Sequence, residues 1–175
     1  TIIFELALTR ILAVAEWYHL AFLAVSVAML GYASSGSFLA LLRAGGRSGL
    51  TATVTKAAAM AFPALILAAY GAINHVPFDS YQLAWDPRQI LYVAVYYLAL
   101  VLPFAAGGLV VAYHLALEPE GSHAVYAANL AGSAAGAVGL LGVLPVLGGE
   151  GAAAAAGVLG ALGALWLLSG PGRGR

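Results

Sequence analysis

Residues 89–117 and 124–147 run for 29 and 24 residues without one Asp, Glu, Lys or Arg. Nothing constrains the fold of this chain more than such runs. A helix needs about 20 apolar residues to cross a bilayer core of about 30 Å. Helix is also the one conformation that pairs every backbone group within a single lipid-exposed segment, and the alternation expected of a barrel strand is absent. Composition agrees: of 175 residues, 63% are hydrophobic and 8% charged, with a mean hydropathy of +0.96. A soluble domain carries about 25% charged residues, and disorder needs high charge with few apolar residues.

The expected fold is all-α, a polytopic transmembrane helical bundle of about six spans over residues 1–170, with a cytoplasmic tail at 171–175. The spans fall at about 2–15, 19–42, 50–73, 89–117, 124–147 and 152–168. The first begins inside an apolar run at Thr1 and reads as a truncated helix, so the chain is expected to be a fragment. Asp86-Pro87 is a helix start, since the carboxylate caps free N–H groups and proline suits the first helical position. Pro63, Pro103 and Pro145 lie inside spans, where proline kinks a helix. Gly148-Gly149-Glu150-Gly151 is expected to turn the chain between the last two spans.

Basic residues near span ends set the orientation. With the 43–49 link in the cytoplasm, Arg43, Arg47, Arg173 and Arg175 lie inside and Arg88 outside. The 75–88 loop is then external, with Phe78, Tyr81 and Trp85 as candidate interfacial aromatics. The glycines at 132, 136, 139 and 142, and at 157, 160 and 163, form small-residue stripes that let helices approach, and are expected to pack within the bundle.

Intramembrane charge costs about 2.5–3.5 kcal/mol on insertion scales, so Glu5, Arg10, Glu16 and Lys56 are the polar candidates. Glu5 and Glu16 share a face if the helix is unbroken. Arg10 lies about 140° from Glu5 around the helix, so each is expected to point inward to a partner on another helix. Lys56 is close enough to its span end to reach the headgroups. His19, His75, Asp79, Asp86 and Arg88 are the loop and interface candidates. Heme held by His19, His75, His114 or His123 is not expected, because all four lie near span ends and axial ligands sit deeper. No cysteine is present, which removes thiol chemistry and Cys-ligated metals. No P-loop, dinucleotide fingerprint or G-x-S-x-G elbow occurs. No catalytic residue, metal site or cofactor is expected. Net charge is zero, and nucleic acid is not an expected partner. The expected partners are the lipid bilayer and other membrane subunits or a second copy of the chain.

Several stretches carry a resemblance to a known family. They are Phe4-Glu-Leu-Ala-Leu-Thr-Arg-Ile-Leu12, Trp17-Tyr-His-Leu-Ala-Phe-Leu-Ala-Val-Ser-Val-Ala-Met-Leu-Gly31, Val76-Pro-Phe-Asp79, Trp85-Asp-Pro-Arg-Gln89, Pro103-Phe104 and Val125-Tyr-Ala-Ala-Asn-Leu-Ala-Gly132. Together they resemble the bacterial membrane-bound spermidine synthase-like proteins, homologues of polyamine aminopropyltransferases. The resemblance implies a bacterial inner-membrane domain followed, in the whole protein, by a cytoplasmic Rossmann-type domain that binds decarboxylated S-adenosylmethionine and a polyamine. Nothing here matches that second domain, so no catalytic residue carries over. Relatives often have Asp where this chain has Asn129. Two other readings stand beside this one: a six-helix transporter-like unit for a small or cationic solute, and an accessory helical subunit of an electron-transfer or photosynthetic membrane complex.

Overall fold

The structure, a computed structural model, describes residues 1–15, 18–79, 81, 82, 84–117 and 120–169, with side chains at all of these but 15, 18–21 and 48. Helices account for most of it: α1 (Ile2–Ala15), α2 (Tyr18–Ala44), α3 (Ser48–His75), α4 (Arg88–Leu117) and α5 (Ser122–Ser169). Among the described residues there is no strand.

The helix ends follow from local chemistry. Gly46 closes α2 with φ +71°, a backbone conformation that costs glycine little. Its amide donates to the Arg43 carbonyl, and the Arg47 amide donates to the Leu42 carbonyl, both at 3.0 Å. This pair of bonds is the glycine-terminated motif that satisfies the last carbonyls of a helix. At the far end of α4, Arg43 Nη1 donates to the Ala116 carbonyl at 3.3 Å, placing positive charge where the helix dipole is negative. Before α4, the Arg88 amide donates to Asp86 Oδ1 at 2.9 Å, the cap that Asp86-Pro87 implies.

Helix α5 is 48 residues long but is not one rod. Gly148 has φ 66° and ψ −174° and interrupts it. Gly136 and Gly160 stand 12 residues before and after that break, and an unbroken helix would hold them about 36 Å apart. Instead both line one cavity of about 300 Å³ with Thr1 and Phe62. The chain therefore doubles back at Gly148 into two arms, 122–147 and 149–169. The sequence reading places its last turn at this glycine cluster.

The helices form a closed ring of neighbours: α2 packs on α4, α4 on α3, α3 on α5, α5 on α1 and α1 on α2. Phe4, Leu8 and Leu12 from α1, Val27 from α2, Ile66 from α3, and Leu100 and Phe104 from α4 fill the core. The Phe4 and Phe104 rings lie 5.3 Å apart between centroids. Glycine sets the α2–α4 spacing. A Cβ on Gly31 would stand 2.8 Å from the Ala105 backbone nitrogen, and one on Gly108 would stand 2.6 Å from Ser35 Oγ. Small side chains at such crossings are what allow backbones to approach.

The outside of the bundle is as apolar as the inside. Phe22 is 74% exposed, and Met29, Leu67, Leu98, Val138, Leu141 and Leu165 are also exposed. A monomeric soluble protein rarely shows a contiguous apolar surface of this kind, whereas helices that are apolar all round belong in a core or a bilayer. Four helices, α2 to α5, are long and apolar enough to cross a membrane. The expected count of six differs for two reasons. At 14 residues, α1 is about 21 Å long, short of the hydrocarbon thickness, and the last two runs are joined into one interrupted helix.

Candidate functional site

Two groups of polar side chains link different elements of the bundle. The first surrounds Thr1 at the start of α1. Thr1 Oγ1 there accepts a hydrogen bond from Tyr32 Oη, and a Cβ on Gly107 of α4 would overlap the Thr1 methyl. Thr1, Asn129 and Ser133 are the polar members of the cavity lined by both arms of α5. A cavity with neutral hydroxyl and amide groups suits water or a small neutral polar group.

Glu5 lies one turn further along α1 and is half-buried. Its backbone carbonyl accepts from Thr9 Oγ1 at 2.9 Å. Its carboxylate takes no hydrogen bond and no ion pair from a neighbouring helix among the described residues, contrary to expectation. Arg10 is a clearer correction, because its side chain is exposed. Phe4, Ala7, Leu8 and Leu12 face the core, and at 100° per residue Arg10 falls roughly 135° from the middle of that face. Lys56 is exposed on α3. Glu16 lies outside the described residues, as do the side chain of His19 in α2 and the tail at 171–175.

The second lies in the turn at 76–87 that joins α3 to α4. Asp79 organises it. Its Oδ1 accepts from the Tyr81 amide at 2.9 Å and its Oδ2 from Gln82 Nε2 at 2.8 Å. Its own amide donates to Gln89 Oε1 at 3.0 Å. Gln89 is only 4% exposed, so the turn is tied to the interior of the bundle. Nearby, Tyr70 close to the end of α3 lies beside Glu150 at the reversal of α5. Phe78 turns inward and meets Tyr96, with ring centroids 5.7 Å apart. Arg88 is exposed beside this turn.

The histidines are scattered. Nδ1 of His75 donates to the Gly71 carbonyl at 3.0 Å, and Nδ1 of His114 donates to the Val110 carbonyl at 2.8 Å. They end α3 and α4 respectively, at opposite ends of the bundle. Among the described residues, no group of three His, Cys, Asp or Glu could hold a metal ion.

The glycine stripes divide. A Cβ on Gly136 would strike Ile2, and one on Gly160 would strike Phe62, so these two pack closely. Added Cβ atoms on Gly132, Gly139, Gly142, Gly157 and Gly163 would meet nothing within 4 Å. Internal packing therefore explains only part of the pattern.

Buried polar residues that the sequence reading passes over are Ser35, Thr51, Thr55 and Gln89. A polar residue opening an apolar run is the one signal that Gln89 offered. Ser35 and Thr55 give none, because each satisfies its hydroxyl on its own helix, at the Tyr32 and Thr51 carbonyls.

Compared with protein-family models, curated proteins and solved structures, the chain matches none.

Proposed function

We propose that the chain is the membrane-embedded helical domain of a spermidine synthase-like protein, anchoring a cytoplasmic polyamine-modifying domain encoded beyond Arg175. The observation that carries the membrane part is the distribution of polarity. Four membrane-length helices expose apolar side chains, and the buried polar residues named above are all uncharged. The polyamine part is supported by the resemblance of the Glu5-to-Arg10 and Trp17-to-Phe22 stretches.

In this reading six helical segments enter the bilayer. The α5 arms of 26 and 21 residues are about 39 and 31 Å long, enough for one crossing each, and α1 is the sixth segment. The membrane is the bacterial inner membrane. Arg43 and Arg47 face the cytoplasm with residues 171–175, and the 76–87 turn faces outward.

The native chain has no cysteine, so single Gly45→Cys and Gln82→Cys variants can be labelled without background. An impermeant maleimide should reach position 82 from outside intact spheroplasts, and position 45 only after lysis. Labelling of both from one side overturns the crossing pattern. The polyamine reading has its own test: the reading frame after Arg175 should encode a Rossmann-type domain, and a stop codon there removes it.

A further inference from the structure

We infer that the turn at 76–87 lies in the headgroup layer of the bilayer, with Tyr81 and Trp85 as its two anchors and Arg88 beside the lipid phosphates. The inference rests on the membrane reading and adds a specific contact surface to it.

Position comes first. The turn begins where α3 ends at His75 and finishes where α4 begins at Arg88. Both helices are membrane-length, so the segment between them stands at the edge of the hydrocarbon core. Hydrogen bonding comes next. Asp79 pins the Tyr81 amide and the Gln82 side chain, and the Gln82 carbonyl accepts the amides of Trp85 and Asp86, each at 2.9 Å. The Gln89 anchor then fixes Asp79 to the bundle. Tyr81 and Trp85 are thus held on successive hydrogen-bonded turns.

The three aromatic residues of the turn are sorted by chemistry. Phe78, whose ring has no polar atom, packs inward on Tyr96. Tyr81 and Trp85, which carry O–H and N–H groups, are 70% and 86% exposed. Rings with an apolar body and a polar tip are the ones that favour the membrane–water boundary. The patch does not stop at the turn: Ile90 and Leu91 are exposed on the first turn of α4, continuing the apolar surface downward. An exposed guanidinium at Arg88 can extend to phosphate while its stem lies on apolar surface.

Tryptophan emission in vesicles of phosphatidylcholine and phosphatidylglycerol tests this. One variant keeps Trp85 alone, with Trp17 and Trp166 changed to Phe. A reference variant also carries Trp85→Phe and Met29→Trp, which places the only indole at mid-span on an exposed position of α2. Lipids brominated near the headgroup should quench Trp85 more than lipids brominated near the chain ends, and the reverse order should hold at position 29. Strong quenching of Trp85 by aqueous iodide, without quenching by either lipid, overturns the inference while position 29 still reports insertion. Protection of Trp85 from both lipid bromine and iodide assigns the patch to a protein contact and also overturns it. Loss of lipid quenching at position 29 as well means that the membrane reading itself has failed.

Discussion

Gln89 accepts the backbone N–H of Asp79 from inside the bundle, 3.0 Å away and ten residues along the chain. One buried amide thus ties Asp79 to the bundle, beside the packing of Phe78 on Tyr96. Gln89→Leu should leave the Asp79 N–H without its acceptor, and a buried unmet donor costs about 1–3 kcal/mol. We expect a lower unfolding midpoint in mild detergent and altered Trp85 emission. Gln89→Glu, which keeps an acceptor oxygen, should lose less. Equal losses in the two variants would mean that packing, not this bond, holds the turn.

Gly31 and Gly36 share helix α2 but differ in surroundings. A Cβ at Gly31 meets Phe104 and the Ala105 backbone, whereas one at Gly36 meets nothing within 4 Å. Overpacking a fixed helix crossing costs about 1–3 kcal/mol. Gly31→Ala should therefore lower the unfolding midpoint, and Gly36→Ala should leave it unchanged or raise it slightly through better helix propensity. Equal midpoints for both variants would show that α2 and α4 separate freely at this crossing.

The helices were legible because lipid leaves the backbone so few options: residues 89–117 have one satisfactory conformation in a bilayer. The reversal at Gly148 was legible for a related reason, since a cluster of glycines and one Glu interrupts an apolar run. Which way a polar residue faces was not. At Arg10, direction depends on the phase of α1, and that phase is set by where Phe4, Leu8 and Leu12 find their partners. At Gln89, the bond to Asp79 appears only once the turn is folded. The glycine stripes show the same limit. Spacing alone does not separate Gly136 and Gly160, where an added Cβ would strike Ile2 and Phe62, from Gly139 and Gly142, where it would meet nothing within 4 Å.

Gly148 carries the reversal of α5 with φ 66°. With ψ −174° this is backbone space essentially confined to glycine, where a side chain costs about 1–3 kcal/mol, although there is room for a Cβ at this position. Gly148→Ala should destabilise the bundle by about that amount, and Gly148→Asn should give no relief, because the tolerance of Asn is for the left-handed helical region and not for ψ −174°. An Ala variant as stable as the native chain would place the bend elsewhere.

Arg10 is exposed, and its stability effect should follow from that placement. Helix α1 ends at Ala15, five residues on, or about 8 Å along the axis. Its stem can span that distance along the apolar outer face while the guanidinium stays at the headgroups. Among the described residues no partner inside the bundle is left uncompensated when the charge is removed, so the large penalty of breaking a buried pair is not expected. Arg10→Leu should shift the unfolding midpoint little, within the roughly 0.5 kcal/mol typical of surface substitutions. Arg10→Glu should retain the fold too, yet lower the fraction inserted into vesicles rich in anionic lipid, where a basic residue near the surface contributes about 1 kcal/mol. A sharp loss of thermal stability in the Leu variant, with membrane insertion intact, would show that Arg10 pairs inward.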